Sequence, residues 1–94
     1  MDKDFEEFVA THEKNELYTV GDFFLWHGRL THSCARGRRE FLERFDLKKN
    51  DMCNASFFLD ITMKNDDASN TLFSELFEYY KGVSPVYKKM EEST

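Results

Sequence analysis

The chain is poor in the residues that punctuate, cross-link or anchor a protein, with one proline, four glycines and two cysteines in 94 residues. Two cysteines, Cys34 and Cys53, are too few to staple a secreted domain of this size. Reduced thiols and a cytoplasmic location are therefore expected, with a Cys34–Cys53 bridge as the lesser alternative. The glycines (Gly21, Gly28, Gly37, Gly82) are dispersed, so no glycine-rich loop exists to cradle a phosphate. The longest fully apolar run, Phe23–Trp26, falls far short of the ~20 residues a bilayer span requires. Met1-Asp2-Lys3-Asp4 is acidic where a signal peptide is basic and then apolar, which argues against an export signal. No internal repeat or low-complexity segment is visible.

Aromatic rings are plentiful: ten Phe, four Tyr and one Trp. With 40% apolar and 33% charged residues, the composition is that of a folded chain. The length suits one domain, which buries roughly 60–65% of the surface its unfolded form exposes. Rings fill a small core efficiently and are also enriched at interfaces.

Periodicity predicts an α+β domain, about three helices on a small, mainly antiparallel sheet. Phe5, Phe8, Val9 and His12 share one face of a helix over 3–14, with Asp2 as its cap and Asn15 as its stop. Residues 17–31 are ambiguous. Thr19-Val20-Gly21-Asp22 fits a capping box that opens a helix. The aromatic and β-branched content favours instead a hairpin of Leu17–Val20 and Phe23–Thr31 about a Gly-Asp turn. Phe41, Leu42 and Phe45 mark a helix over 36–46, laced by Arg36–Glu40, Arg39–Glu43 and Glu40–Arg44 at i, i+4. From Ala55 to Lys64, Ala55, Phe57, Leu59, Ile61 and Met63 alternate with Ser56, Phe58, Asp60, Thr62 and Lys64, which predicts a strand. Leu72, Phe73, Leu76, Phe77 and Tyr80 form the apolar stripe of a helix over 68–81, with Gly82 at its C-terminal end. The globular domain is accordingly expected over 1–82, and Pro85 sits in a mobile polar tail over 83–94.

Several chemical signatures come close and fail. His32-Ser33-Cys34-Ala35-Arg36-Gly37 resembles a cysteine-phosphatase loop, but the position six residues after Cys34 holds Glu40, a carboxylate that repels phosphate. His27, His32, Cys34 and Cys53, with His12 to spare, lack the paired short spacing of structural zinc ligands. No enzyme activity, metal or cofactor is expected.

What remains is charge. Residues 1–25 hold seven acids against two lysines, 26–49 seven bases against three acids, and 50–94 eight acids against four lysines. The local charges of −5, +4 and −4 give the net −5. Such segregation speaks of partners and solubility. The leading expectation is a non-catalytic inhibitor. Its acidic helices (Asp2, Asp4, Glu6, Glu7, Asp66, Asp67, Glu75, Glu78) contact a basic, nucleic-acid-binding protein as a DNA-mimic decoy. Helical carboxylates three or four residues apart lie ~5–6 Å from one another. That spacing approximates duplex phosphates, set every ~3.4 Å of axis per strand. Small acidic decoys of bacteriophages and mobile elements are the analogy, one of size and charge alone. The alternative is a nucleic-acid-binding regulator that uses Arg29, Arg36, Arg38, Arg39, Arg44, Lys48 and Lys49 with Trp26, Phe41 and Phe45. A homodimer is also expected, either doubling the charge or setting the basic middle of one copy against the acidic segments of another.

Overall fold

Five helices and three two-residue strands are present in the computed structural model, which describes residues 2–31, 35–64 and 71–90. They run α1 (Lys3–Thr11), β1 (Tyr18–Thr19), α2 (Val20–Thr31), α3 (Ala35–Arg44), β2 (Met52–Cys53), α4 (Ala55–Lys64), α5 (Thr71–Tyr79) and β3 (Tyr87–Lys88). The class is α+β as expected, with five helices among the described residues rather than about three.

Helix α1 starts where Asp2 accepts a hydrogen bond from the Asp4 N–H at 2.8 Å. It stops at Thr11 rather than near Asn15, because the buried His12 ring turns back and donates from Nδ1 to the Phe8 carbonyl at 2.8 Å. That bond satisfies one of the carbonyls every helix end leaves open.

The expected hairpin over 17–31 does not form. Tyr18 and Thr19 are a strand, but they pair with Cys53 and Met52. Val20–Thr31 is helical, and the capping box decides it: the Asp22 N–H donates to Thr19 Oγ1 at 3.1 Å. Phe23, Phe24, Trp26 and His27 turn inward at helical spacing and leave Leu25 74% exposed. Gly21 allows the helix start to lie against the loop before β2. Its N–H donates to the Lys49 carbonyl at 2.9 Å, and a Cβ there would come within 3.2 Å of that oxygen.

The strand expected over 55–64 is helix α4. Phe58 and Thr62, which the alternation assigned to a polar face, are buried with Ala55, Leu59 and Ile61. Run together, that set has a helical period. The deciding residue is Asn54. Its Oδ1 accepts from the Phe57 N–H at 2.9 Å, the bond that opens a helix.

The helix expected over 36–46 is α3. It ends in a Schellman turn: Leu47 N donates to the Leu42 carbonyl at 2.9 Å and Asp46 N to that of Glu43 at 3.2 Å, with Asp46 at φ +53°. Helix α5 lies within the expected 68–81 and closes at Gly82, φ +93°; residues 68–70 lie outside the described ones.

The strands form one antiparallel sheet in the order β1-β2-β3. Its register aligns Tyr18, Cys53 and Tyr87 in one row and Thr19, Met52 and Lys88 in the other. The first row faces in: Cys53 is buried, Tyr18 meets Phe23 of α2, and Tyr87 stacks on Phe57 of α4 at 5.0 Å. Residues 83–90 were expected as a tail, but through Met90 they are stitched to the fold. The Asn54 Nδ2 donates to the Ser84 carbonyl at 2.9 Å, the Val86 N–H to Asn54 Oδ1 at 3.0 Å, and the Ser56 hydroxyl to the Val83 carbonyl at 2.7 Å.

One core joins the helices. Phe8, Phe23, Phe58, Phe73, Leu59, Leu76 and Tyr80 are fully buried, with Phe23 stacked on Phe58 at 4.8 Å. Each such ring or leucine contributes ~1.5–3 kcal/mol by leaving water.

Candidate interaction surfaces

Ring packing joins α1 to α5. Phe5 meets Tyr79 edge-on at 6.0 Å and Phe8 meets Tyr80 at 5.9 Å. The Tyr80 hydroxyl donates to the His12 carbonyl at 2.7 Å, and burial pushes its pKa well above the usual phenol value. Acids from two distant stretches of chain therefore sit on touching helices. Glu6, Glu13 and Glu16 are exposed on and just after α1, and Glu75 and Glu78 are exposed on α5. Glu78 lies 3.9 Å from Lys81, and both side chains are well exposed, so the pair contributes little. Lys14 sits 4.7 Å above the Tyr79 ring, a cation within the acidic side.

Not every predicted acid is available. Asp2 is spent on its cap. Asp4 and Glu7 clamp Arg29 of α2 at 2.7 and 2.6 Å, and the guanidinium lies 4.5 Å from the Trp26 ring centre. The hydrogen bond to Glu7 leads the causes that raise the Arg29 pKa. Asp66 and Asp67 lie outside the described residues.

The same clamp removes Arg29 from the predicted basic surface. Arg39, Lys48 and Lys49 are exposed, and the side chains of Arg36 and Arg38 lie outside the described residues. What the spacing missed is a basic edge assembled from two parts of the chain. Lys48 and Lys49 stand on the turn before β2, and β3 brings Lys88 and Lys89 to the same end. The link is Asp51, fully buried. Its Oδ2 accepts from the Lys48 N–H at 3.0 Å and the Tyr87 hydroxyl at 2.5 Å, and its Oδ1 from the Met90 N–H at 3.0 Å. Burial alone would raise the carboxyl's pKa, but these hydrogen bonds outweigh it and hold it below the usual range. Lys89 pairs with Asp46 at 3.3 Å. The outward row of the sheet, Thr19, Met52 and Lys88, joins the exposed Val86 and Met90 on this edge. Thirty-nine residues separate Lys49 from Lys88, so no spacing rule connects them.

Several chemistry-bearing groups among the described residues are occupied by the fold. His12, 2% exposed, sends Nε2 to Asp22 Oδ2 at 2.7 Å, and Thr11 Oγ1 is 3.0 Å from its Nδ1. The sequence of Thr, His and Asp has the outline of a hydrolase triad. Yet Nδ1 already meets the Phe8 carbonyl, and the Thr11 hydroxyl donates to the Glu7 carbonyl at 2.8 Å, so the hydroxyl has no base to take its proton. The trio instead ties the end of α1 to the start of α2. Burial drives the Cys53 thiol up to about 12, which keeps it protonated and unreactive near neutral pH. His27 is buried among Phe24, Phe41 and Phe73. His32 and Cys34 lie outside the described residues, so the cysteine of the phosphatase-like stretch and half of the zinc set do too, while Ala35, Arg36 and Gly37 open α3. Among the described residues no His, Cys, Asp and Glu side chains group to hold a metal ion, and no helix is long and apolar enough to cross a membrane.

No family model, curated protein or solved structure matches this chain.

Proposed function

We propose that this chain is a non-catalytic interaction protein of the cytoplasm. Its α1/α5 side occupies the basic groove of a nucleic-acid-binding protein and keeps nucleic acid out. The observation that carries the reading is the contact of α1 with α5 through Phe5–Tyr79 and Phe8–Tyr80. It gathers Glu6, Glu75 and Glu78 onto neighbouring helices while α1 and α2 consume Arg29 internally. The direct nucleic-acid reading loses that arginine, and exposed acids nearby repel a polyanion across a Debye length of ~8 Å at physiological salt. Occupation of His12, Asp22 and Asp51 by structural bonds, and the burial of the Cys53 thiol, support a binding role over catalysis.

The test is affinity capture from a bacterial lysate with and without competing duplex DNA, repeated with Glu75→Lys/Glu78→Lys. Recovery of a DNA-binding protein that DNA displaces, with at least tenfold weaker capture by the reversed chain, is expected. Undiminished capture by a reversed chain that keeps its helical circular dichroism would overturn the assignment.

A further inference from the structure

Among the described residues, the outer row of the sheet stands more open than the inner one, with Thr19 and Lys88 exposed and Met52 half-buried. Helices α2 and α4 cover the inner row through Tyr18–Phe23 and Tyr87–Phe57. The outer row carries Thr19, the half-buried Met52 and Lys88, and Val86 and Met90 beside it are 42% and 45% exposed. Lys48 and Lys49 are exposed on the turn before β2, at the end of the sheet where Asp51 binds both the Lys48 and Met90 N–H groups. Of the described acids at this end, Asp46 is paired with Lys89, and the buried Asp51 already accepts three hydrogen bonds. The result is a surface of thioether and aliphatic side chains edged by three lysines, on a chain whose net charge is −5.

From this we infer that the outer sheet face is the docking site for a second copy of the chain, which presents its acidic α1/α5 side. Charge complementarity argues for that occupant: Lys48, Lys49 and Lys88 meet Glu6, Glu75 and Glu78. The apolar side chains agree. The acidic side exposes Tyr79 at 41%, and methionine sulfur packs well against aromatic edges. A nucleic acid fits less well, because the aromatic ring of β3, Tyr87, is turned inward onto Phe57 and offers no stacking platform.

Such a contact joins two different patches, so it is heterologous: each added copy leaves one acidic and one basic face open. Association then depends on concentration and salt. It also covers the acidic side on which the proposed function rests, so a partner protein competes with the chain's own copies. The predicted basic surface for self-pairing thus moves from residues 29–49 to a face built by β2, β3 and the turn before β2.

Sedimentation velocity of the full chain at about 20 mM and about 500 mM salt tests the inference. Average mass should climb with concentration at low salt and fall to that of the monomer at high salt. Lys48→Glu/Lys49→Glu/Lys88→Glu and Glu6→Lys/Glu75→Lys/Glu78→Lys should each stay monomeric, while an equimolar mixture of the two associates again. Should the lysine reversal disturb the circular dichroism, Lys48→Gln/Lys49→Gln/Lys88→Gln replaces it, with association at least tenfold weaker than wild type. A wild-type chain that stays monomeric at low salt overturns the proposal. So does association that survives loss of the lysines, or a mixture of folded variants that fails to associate. Binding of a short duplex through these lysines without self-association reassigns the face to a polyanion and equally overturns it. The lysine variants leave Glu6, Glu75 and Glu78 intact. Partner capture that persists in them while self-association is lost separates this inference from the function proposed above.

Discussion

Helix α1 and strand β3 lie at different ends of the sequence, and each has a buried polar side chain that ties it to the body through several bonds. For α1 it is His12, which joins the Phe8 carbonyl to Asp22; for β3 it is Asp51, which gathers Lys48, Tyr87 and Met90. The surroundings differ. His12 is enclosed by Phe8, Tyr18, Phe23 and Trp26, with the Phe8 ring stacked at 4.3 Å, so α1 would keep much of its ring packing without the polar bonds. Strand β3 has two paired residues and one stacked ring. Its attachment depends on hydrogen bonds. The acidic surface therefore stands on a packed helix, and the basic face on a strand held by polar bonds, those of Asp51 and, just before the strand, those of Asn54.

The largest expected effect comes from cutting the β3 knot. Asp51→Asn should cost about 3 kcal/mol, since bonds to a charged acceptor are strong and buried donors are left without it. Hydrogen exchange should rise first at Met90 and Lys48, and chemical denaturation gives the magnitude. The pH dependence has a definite sign. A native carboxyl held below its ordinary value near ~4 stabilises the fold above that pH and loses the contribution as pH falls through the native value. The gap between wild type and Asp51→Asn should therefore narrow as the solution is acidified below about pH 4. Equal acid sensitivity in the two proteins would show that Asp51 is not ionised in the fold.

His12→Ala comes next, at about 2 kcal/mol, from the lost bonds and the cavity left among the rings. Here exchange should quicken at the α1–α2 junction and leave β3 protected. If β3 opens as well, the two fastenings are not independent. Tyr87→Phe removes a single donor to Asp51 and keeps the Phe57 stack, so about 1 kcal/mol is expected from thermal melts with no change in the sheet signature. The smallest effect is a gain. Asp46→Gly relieves the left-handed backbone at φ +53° and should stabilise by about 0.5 kcal/mol despite the loss of the exposed pair with Lys89. A loss of stability instead would mean that the Lys89 pair matters to β3.

Where the sequence was legible, one helical face carried it. Phe5, Phe8, Val9 and His12, Phe41 and Leu42, and the stripe from Leu72 to Tyr80 marked α1, α3 and α5. It was illegible where phenylalanines crowd. Phe23-Phe24 and Phe57-Phe58 satisfy a period of two as readily as one of 3.6; aromatic and β-branched content tips the first segment toward a hairpin, and alternation from Ala55 to Lys64 tips the second toward a strand. Local caps settle the conflict: Thr19 with Asp22, and Asn54 with Phe57. The first was visible as a capping box and was outweighed; the second was overlooked. The acids of α1 were visible, but the arginine that neutralises two of them arrives from α2, twenty-two residues beyond Glu7. The outer sheet face left no pattern at all, because strands of two residues are too short to show alternation.

Asn54 carries one more implication. Its side chain opens α4 and also grips Ser84 and Val86, 30 and 32 residues downstream, so a local event and a distant closure share one amide group. The bond to Phe57 is local to the start of α4, but the amide finds its remaining partners only once residue 86 has cleared the ribosome. Closure of β3 onto this half is thus a late, loop-closing step, and in the inner row Cys53 lacks its Tyr87 neighbour until then.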